Sequence, residues 1–490
     1  MARRQHWRRG PAMIRPCLAV GLALTLVACS SLPPLAGPDL TLPASYGSTS
    51  GEAGSPDHTD LWTGRWWTLL NDAELAERVE RALQHNRDLK RAIARIEEAD
   101  AALRLAGAAL LPQVTVDAAN ARNRVTEVGA VPLPSNAPIY RSDRKLALNT
   151  SYELDVWGRL RNSRESARAQ MLANRETADT VALTVASTVA QTVIAIRSTD
   201  LALHLSDATI SSREDTLRLI RIRRGEGIAS ELEERQGEAV LAGLRAQAEQ
   251  LRLARDLLEN QLGLLCGEPG AKLSRSPSLT LPEAPVPPTG LPSTLLASRP
   301  DIRAAEARMR AARLQVEAVR AAKFPLISLT GALGQQSGAL GDLLTSPGRI
   351  WTLALGLSAP LLDFGRADAR TDQARSQAIQ AQLAYEQAVL TAFREVSDAL
   401  ASLDHTRHIE AALLAQRDAS AAAARVSRVR YEGGYAGWLE VLDAERTANT
   451  AEQAWVQARQ ARLSATIDLI KALGSGWTTP ANQTDAARTP

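Results

Sequence analysis

The chain has 490 residues and a formal net charge of +3 at neutral pH. Its first 28 residues contain five arginines and no acidic residue, so the remainder carries a net charge of about −2. A nucleic-acid-binding function is therefore disfavoured, because such a domain needs a basic surface in the mature protein.

The amino terminus has the pattern of a bacterial lipoprotein signal. Several arginines precede an apolar segment at residues 18–27, which runs into Leu26-Val27-Ala28-Cys29. We predict that residues 1–28 are a signal peptide and that Cys29 carries fatty acids, palmitate among them. The alternative is an ordinary signal peptide that happens to contain a cysteine. The resemblance to lipoprotein signals implies sorting to the outer membrane, because the residue after the cysteine is Ser30 and not Asp. Cys17 would leave with the signal and Cys266 has no partner cysteine, so no disulfide framework is expected.

The next segment, residues 29–71, is predicted to be a tether followed by a cap. Residues 30–57 are rich in Pro, Gly and Ser, and three tryptophans follow at positions 62, 66 and 67. From residue 72 to residue 110, apolar residues recur every three or four positions, which predicts a helix that Pro112 ends.

Residues 113–156 change to the alternating pattern of β-strands. Lys145 and Asn149 fall on one face, whereas Leu146 and Leu148 fall on the other. A helix without Pro or Gly is then predicted over residues 159–223, about 100 Å long at 1.5 Å per residue. A turn at 224–230 and a return helix at 231–266 complete a first repeat, which we place at residues 72–270.

The second half of the chain repeats this organisation. A spacing of 207 residues relates the segment S-Y-E-L-D-V-W-G-R, which ends at Arg159, to S-A-P-L-L-D-F-G-R, which ends at Arg366. Such self-similarity indicates a duplicated unit. After a Pro-rich linker at 271–296, the second repeat is placed at 297–474, with strands at 326–337 and 350–358 and helices at 297–323, 366–431 and 438–473. Residues 475–490 are predicted to be a polar tail.

The strands are the segments most suited to a membrane. The most apolar later run, residues 181–196, is interrupted by Thr, Ser and Gln, and is therefore predicted to be a helix buried among other helices. Strands can span a membrane only in a closed barrel, and four strands cannot close one alone. Three chains would supply twelve strands. The predicted fold class is mostly α, with duplicated long coiled helices that form a tunnel and four strands per chain in a trimeric twelve-stranded barrel. The alternative is surface β-ribbons on a soluble coiled-coil protein.

A set of motifs in a fixed order carries a family resemblance. They are the lipobox at Cys29, Trp66-Trp67 with Asn71-Asp72, Asn86-Arg87-Asp88-Leu89, Leu111-Pro112, Phe324-Pro325, the two W/F-G-R segments, and the stretch from Arg430 to Arg446. Their order and spacing together are specific, and the resemblance extends over nearly all of residues 20–475. The chain resembles TolC-type outer-membrane factors, in their NodT-like lipoprotein branch. The resemblance implies a homotrimer with a periplasmic helical tunnel, and a periplasmic adaptor and an inner-membrane pump as partners.

The resemblance also implies a gate where the inner helices turn. By position, the gate candidates are Tyr431, Glu440 and Asp443, with Glu233 in the first repeat. Threefold symmetry would make each carboxylate a ring that favours cations; solvated acids at a helix start are the alternative. Gly227 and Gly434 are expected to supply turn geometry and a docking surface for the adaptor. Two further residues are weak candidates for a metal site, His405 and His408, for which a solvated helix face is the preferred interpretation.

No catalytic motif is found, so an enzyme is not expected, and neither is a cofactor beyond the lipid on Cys29. The predicted function is that of an outer-membrane exit duct, a passive channel that carries drugs or small molecules from an inner-membrane pump and adaptor. A protein-secretion duct and a non-pore structural coiled-coil lipoprotein remain the alternatives.

Overall fold

The computed structural model describes residues 65–127, 137–275 and 299–474. The predicted signal peptide, Cys29, the tether, Trp62, most of the linker and the tail lie outside these residues. No metal, ligand or partner chain is part of the structure.

A 3-10 turn at Trp66–Leu70, in the segment predicted to be the cap, precedes α1 (Ala73–His85) and α2 (Arg87–Ala108) of the first repeat. The hairpin of β1 (Gln113–Arg124) and β2 (Tyr140–Glu153) leads into α3 (Arg159–Gly225) and then α4 (Glu231–Cys266). The predicted helices at 159–223 and 231–266 agree with these bounds within two residues.

From α2 onward, the order of elements in the first repeat recurs in the second. Its helix α5 (Pro300–Ala321) precedes the hairpin of β3 (Leu326–Ser337) and β4 (Arg349–Ser358). Then come α6 (Arg366–Glu432) and α7 (Trp438–Leu473). The long helices of the two repeats have identical lengths: α3 and α6 each have 67 residues, and α4 and α7 each have 36.

The helix predicted over residues 72–110 is divided in two at Asn86. The Asn86 side chain accepts hydrogen bonds from the backbone N–H groups of Asp88 and Leu89, and its amide donates to the Leu265 carbonyl. Asn86 is therefore the N-cap of α2, and it also ties this helix start to the end of α4. The periodicity of the apolar residues continues across the break, which is why the sequence pattern alone predicts one helix.

The four strands form one antiparallel sheet in the order β1-β2-β3-β4, so β1 and β4 are its two edges. Val116, Leu148, Leu333 and Trp351 lie opposite one another across the ladder. Alternation then places most of the large apolar residues of the four strands on one face of the sheet, and mostly polar or small residues on the other. Both faces are largely exposed in the single chain.

The largest hydrophobic core surrounds the middle of α3. Residues of α3 between Ala182 and Ile196 pack with Trp66 and Trp67, with α1, and with the carboxyl-terminal ends of α4 and α7. Among the described helices, α3 alone has an 18-residue stretch apolar enough to span a membrane, and 67% of that stretch is buried inside the fold. This agrees with the prediction of a helix buried among other helices.

An aromatic joint connects the two repeats where strands become helices. The Trp157 ring stacks on the Phe324 ring with 4.8 Å between centroids. Its indole Nε1–H donates to the Pro325 carbonyl at 2.8 Å, and the Leu154 N–H donates to the Ile327 carbonyl. The joint fixes the start of α3 against the start of β3.

Candidate functional site at the helical tip

Two turns close the ends of the long helices that point away from the sheet. We name them the first tip turn (residues 226–230) and the second tip turn (residues 433–437). In the first, the Ile228 N–H donates to the Arg223 carbonyl at 2.8 Å; in the second, the Tyr435 N–H donates to the Arg430 carbonyl at 2.7 Å. The two donors, Ile228 and Tyr435, are 207 residues apart, and so are the two acceptors, Arg223 and Arg430. The two turns are therefore equivalent in the two repeats.

A glycine in left-handed backbone geometry lies in each tip turn. Gly227 has φ +74° and Gly434 has φ +77°, and an added Cβ would meet nothing within 4 Å at either position. The backbone angle, and not crowding, therefore requires glycine here. Both residues therefore lie in tight turns with left-handed backbone. Their role in docking an adaptor stays a prediction.

Tyr431 lies between the two repeats. The centroid of its ring is 5.4 Å from that of the Trp438 ring, and the guanidinium of Arg223, near the end of α3, lies 5.3 Å from the Tyr431 ring centroid. It packs against a small core made by Ile220, Trp438 and Val441. In the single chain, Tyr431 therefore joins the end of α6 to the end of α3, next to the two tip turns.

The three candidate acidic residues differ in their surroundings. Glu440 is exposed and lies 3.3 Å from Arg430, whereas Asp443 is exposed and pairs with Arg446 at 2.8 Å. The Glu233 side chain has no hydrogen bond or ion pair with any residue in the described ranges, although its backbone N–H is capped by Ser230. The exposed pairs of Glu440 and Asp443 contribute little to stability, and the Glu233 side chain is not held by any described residue. All three carboxylates can therefore reorient. Their gating role stays a prediction.

The most buried carboxylate of the tip region, Glu445, is not among the residues predicted from the sequence. It is 6% exposed, and it forms ion pairs with Arg428 of α6 and with Arg213 of α3. The Arg428 Nε–H donates to Glu445 Oε1 at 3.1 Å. Burial, and secondarily the nearby charge of Arg428, lowers the pKa of Arg213 to about 10. We name Arg213, Arg428 and Glu445 the Glu445 cluster; it joins the second repeat to the first.

The first repeat has a related pair that stays within its own helical hairpin. Arg221 of α3 donates to Glu238 of α4 at 2.7 Å and to Glu234 at 3.0 Å, and Arg224 also pairs with Glu234. Hydrogen bonds from Arg224 and then Arg221 lower the pKa of Glu234. The 207-residue spacing relates Arg221 to Arg428 and Glu238 to Glu445, and this signal was available in the sequence. The contribution of Arg213 was not, because it has no counterpart in the repeat pattern.

The histidine pair shows no metal-site geometry. His408 Nδ1 lies 2.9 Å from the backbone carbonyl of Asp404, on an exposed face of α6. Across the described ranges, no group of three His, Cys, Asp or Glu side chains is placed to hold a metal ion. The absence of a cofactor stays a prediction.

Comparison with known proteins identifies the architecture. The model of the outer membrane efflux protein family matches residues 79–268 and 291–475. The outer membrane protein OprJ of Pseudomonas aeruginosa is 34% identical over 474 residues, which are 95% of this chain and 97% of OprJ. The toluene efflux pump outer membrane protein TtgF of Pseudomonas putida is 33% identical, over 94% of this chain and 96% of TtgF.

Among solved structures, the open state of the MtrE outer membrane channel of Neisseria gonorrhoeae superposes with a TM-score of 0.80 at 29% identity. The superposition covers 91% of this chain and 98% of MtrE. These matches confirm the resemblance to TolC-type channels, the predicted fold class and the outer-membrane efflux role. The chain belongs to the outer membrane efflux protein family.

Proposed function

We propose that three copies of this chain form the outer-membrane exit duct of a tripartite efflux system, a passive channel for drugs or other small molecules. One observation carries the proposal: a four-stranded sheet with one apolar and one polar face, open at both edges, is continuous with two 67-residue helices. The apolar face suits lipid, the polar face suits a water-filled lumen, and the helices extend that lumen by about 100 Å.

The repeat predicts how neighbouring chains pair. Gln113 lies opposite Ser151 in the first hairpin, and the equivalent residues Leu326 and Ser358 lie opposite each other in the second. The same correspondence can be applied to the pairing between β2 and β3, in which Ser151 lies opposite Thr330. Ser151 corresponds to Ser358, and Thr330, four residues after Leu326, corresponds to Asp117, four residues after Gln113. The transferred pairing therefore places Ser358 of β4 opposite Asp117 of β1 in the next copy. This register also keeps the apolar face continuous across the boundary between chains.

The tip is proposed to restrict this duct at rest. Tyr431, Glu440, Asp443 and Glu233 supply the narrow, acidic end of the channel, where rings of carboxylates favour cations. The Glu445 cluster holds the hairpin of α6 and α7 against α3, so it favours a closed tip. The two tip turns, with Gly227 and Gly434, offer the surface on which a periplasmic adaptor docks.

Small molecules are favoured over secreted proteins as cargo, because the relative TtgF is named for a toluene efflux pump. Lipidation of Cys29 is proposed to anchor the chain to the outer membrane beside its barrel. Since the proposed role is passive transport, no residue is assigned a catalytic function.

The test is single-channel conductance of the purified protein in planar bilayers, compared with the Glu440→Ala/Asp443→Ala variant. We expect a low, cation-selective conductance that rises or loses selectivity in the variant. Unchanged current would move the restriction to Tyr431 or to the first tip turn. A folded, membrane-inserted trimer with no conductance in either form would refute the duct and favour a structural lipoprotein.

A further inference from the structure

Four arginines lie on the apolar face of the sheet, all toward the end farthest from the long helices. They are Arg122 and Arg124 of β1, Arg144 of β2 and Arg349 of β4. Alternation along each strand places them on the same face as Val116, Leu148, Leu333 and Trp351. No strand residue of that face is acidic, whereas Asp117, Asp143 and Glu153 all lie on the polar face.

The arginines form a level belt once the tilt of a barrel is considered. We call a line of directly paired residues across the sheet a ladder row. The ladder row of Arg349 passes through Gln335 and Leu146 and reaches β1 at Ala118, which is four residues closer to the helices than Arg122. That offset is about 14 Å along the strand, over about 14 Å of sheet width between β1 and β4. The line from Arg122 to Arg349 is thus inclined by about 45° to the ladder rows. This is close to the tilt of strands in membrane barrels, so the belt runs parallel to the membrane plane.

The height of the belt matches a headgroup layer. Ten residues separate Pro112, where β1 leaves the helices, from Arg122. At about 3.4 Å per residue and a tilt of about 45°, they span a height of about 24 Å. The apolar band of an outer-membrane barrel is about 25 Å tall. The aromatic joint of Trp157 and Phe324 marks one border of that band, and the arginines mark the other.

Contacts with other residues of the chain occupy only a few of the N–H donors of these four guanidinium groups. Arg122 lies 5.7 Å from the Tyr140 ring centroid, and Arg144 donates one hydrogen bond to the Gly338 carbonyl. Arg124 forms an exposed ion pair with Glu127 at 3.2 Å, a contact of little energetic weight. The Arg349 side chain makes no hydrogen bond or ion pair within the described part of the chain. Positive charges beside an apolar face at this height call for anionic partners in the lipid layer.

We infer that this arginine belt binds the phosphate groups of phosphorylated lipid headgroups in the outer leaflet of the outer membrane. The inference rests on the proposed barrel. A guanidinium presents paired N–H donors that match phosphate oxygens, so several arginines at one height can hold several phosphates. The lipid-bound belt fixes the depth and tilt of the barrel, because each bound headgroup resists vertical displacement of its arginine.

The polar face supplies a matched control. Arg141 and Lys145 lie on β2 close to Arg144, and alternation directs them to the polar face. An Arg141→Gln/Lys145→Gln variant therefore removes two positive charges at a similar height without touching the lipid-facing belt. Its behaviour separates binding at the belt from a general effect of net charge.

The experiment measures equilibrium binding of fluorescently labelled bisphosphorylated lipid A to the full-length, detergent-solubilised trimer. For Arg122→Gln/Arg124→Gln/Arg349→Gln, we expect affinity to fall at least about tenfold, since charge-assisted hydrogen bonds to phosphate are lost. We expect the polar-face control to bind within about twofold of wild type. Replacing the same three arginines by lysine should restore part of the affinity, and dephosphorylated lipid A should bind weakly to every form.

Three results would overturn the inference: an equal loss in the polar-face control, no loss in the triple variant, or equal binding of dephosphorylated lipid. Displacement by millimolar inorganic phosphate would also overturn it, by assigning the belt to free anions. If the triple variant fails to fold, Arg349→Gln alone decides, because that side chain has no described protein partner; a loss of about threefold is expected. Conductance and trimer migration on a gel, measured on the same samples, report separately on the proposed duct.

Discussion

Replacement of Glu445 by glutamine should weaken the link between the two repeats at the tip. Glutamine keeps the size of the side chain but removes the charge that both Arg213 and Arg428 face. Arg213 is buried, whereas the Arg428 side chain is 45% exposed, so water can compensate Arg428 but not Arg213. Removal of one partner from a buried pair costs about 3–5 kcal/mol. We take the lower end, about 3 kcal/mol, because one of the two arginines stays hydrated.

That free energy predicts a large change in channel opening. A difference of 1.4 kcal/mol is a factor of ten, so the closed-to-open equilibrium should shift about a hundredfold if the Glu445 cluster is intact only in the closed tip. Single-channel recording in planar bilayers measures this shift as open probability. Thermal denaturation of the trimer, measured beside it, reports whether the variant also loses global stability.

Glu238→Gln is the matched control, because Glu238 is the equivalent residue of the first repeat. Its side chain is 33% exposed and pairs with Arg221 and Arg235, both in the first repeat, so the change does not loosen the junction between repeats. We expect this variant to gate like wild type. An unchanged open probability for Glu445→Gln, or an equal increase for Glu238→Gln, would refute the reasoning.

Three other predictions follow from the sequence and the structure. Mass spectrometry of the mature protein should find fatty acids on Cys29, and Cys29→Ser should remove them; an unmodified Cys29 would contradict the lipobox. In a chain without Cys266, oxidation should cross-link neighbouring copies that carry the pair Ser358→Cys/Asp117→Cys. The pair Ser358→Cys/Ala118→Cys should not cross-link, because its two side chains point to opposite faces of the sheet. The reverse result would show a different register. Burial, with the charge of a nearby glutamate, raises the pKa of Asp179 on α3 to about 7. Because the native state then holds its proton to higher pH than the unfolded state, this residue should lower stability progressively from about pH 4 to pH 7, by up to about 4 kcal/mol. Asp179→Asn should raise the melting temperature at pH 8 and flatten that dependence; an unchanged melting profile would contradict the assignment.

Much of the fold follows from local pattern. The helix α6 has neither Pro nor Gly, α3 has Gly only as its last residue, and Gly227 and Gly434 mark the tip turns, so the bounds of both helices follow closely from the sequence. The strands were predicted from alternation, which survives because one face of the sheet suits lipid and the other suits water. The break at Asn86 was not predicted, because it depends on a hydrogen bond to Leu265, a residue distant in sequence.

The candidate site was predictable only in part. The tip positions of Tyr431, Glu440 and Asp443 came from a family resemblance, and the structure shows where these residues lie without testing what they do. The pairing of Arg428 with Glu445 could have been inferred from the 207-residue repeat. The place of Arg213 in the Glu445 cluster could not, because helical periodicity places Glu445 on a face but does not say which helix covers that face. Arg213 reaches it from the other repeat, and only the packing of α3 against α7 brings the two charges together.

Within the described residues the aromatic joint occurs once, and the equivalent residues at the two sheet edges do not meet in the single chain. Phe364, the counterpart of Trp157, is 90% exposed, and Leu111, the counterpart of Phe324, is exposed on the other edge of the same chain. If the chains close as proposed, each molecule carries both halves of a joint that it can complete only with its neighbours. A defective subunit would then spoil two boundaries of every trimer that it enters. Such variants should be dominant over the wild-type protein when both are expressed in the same cell.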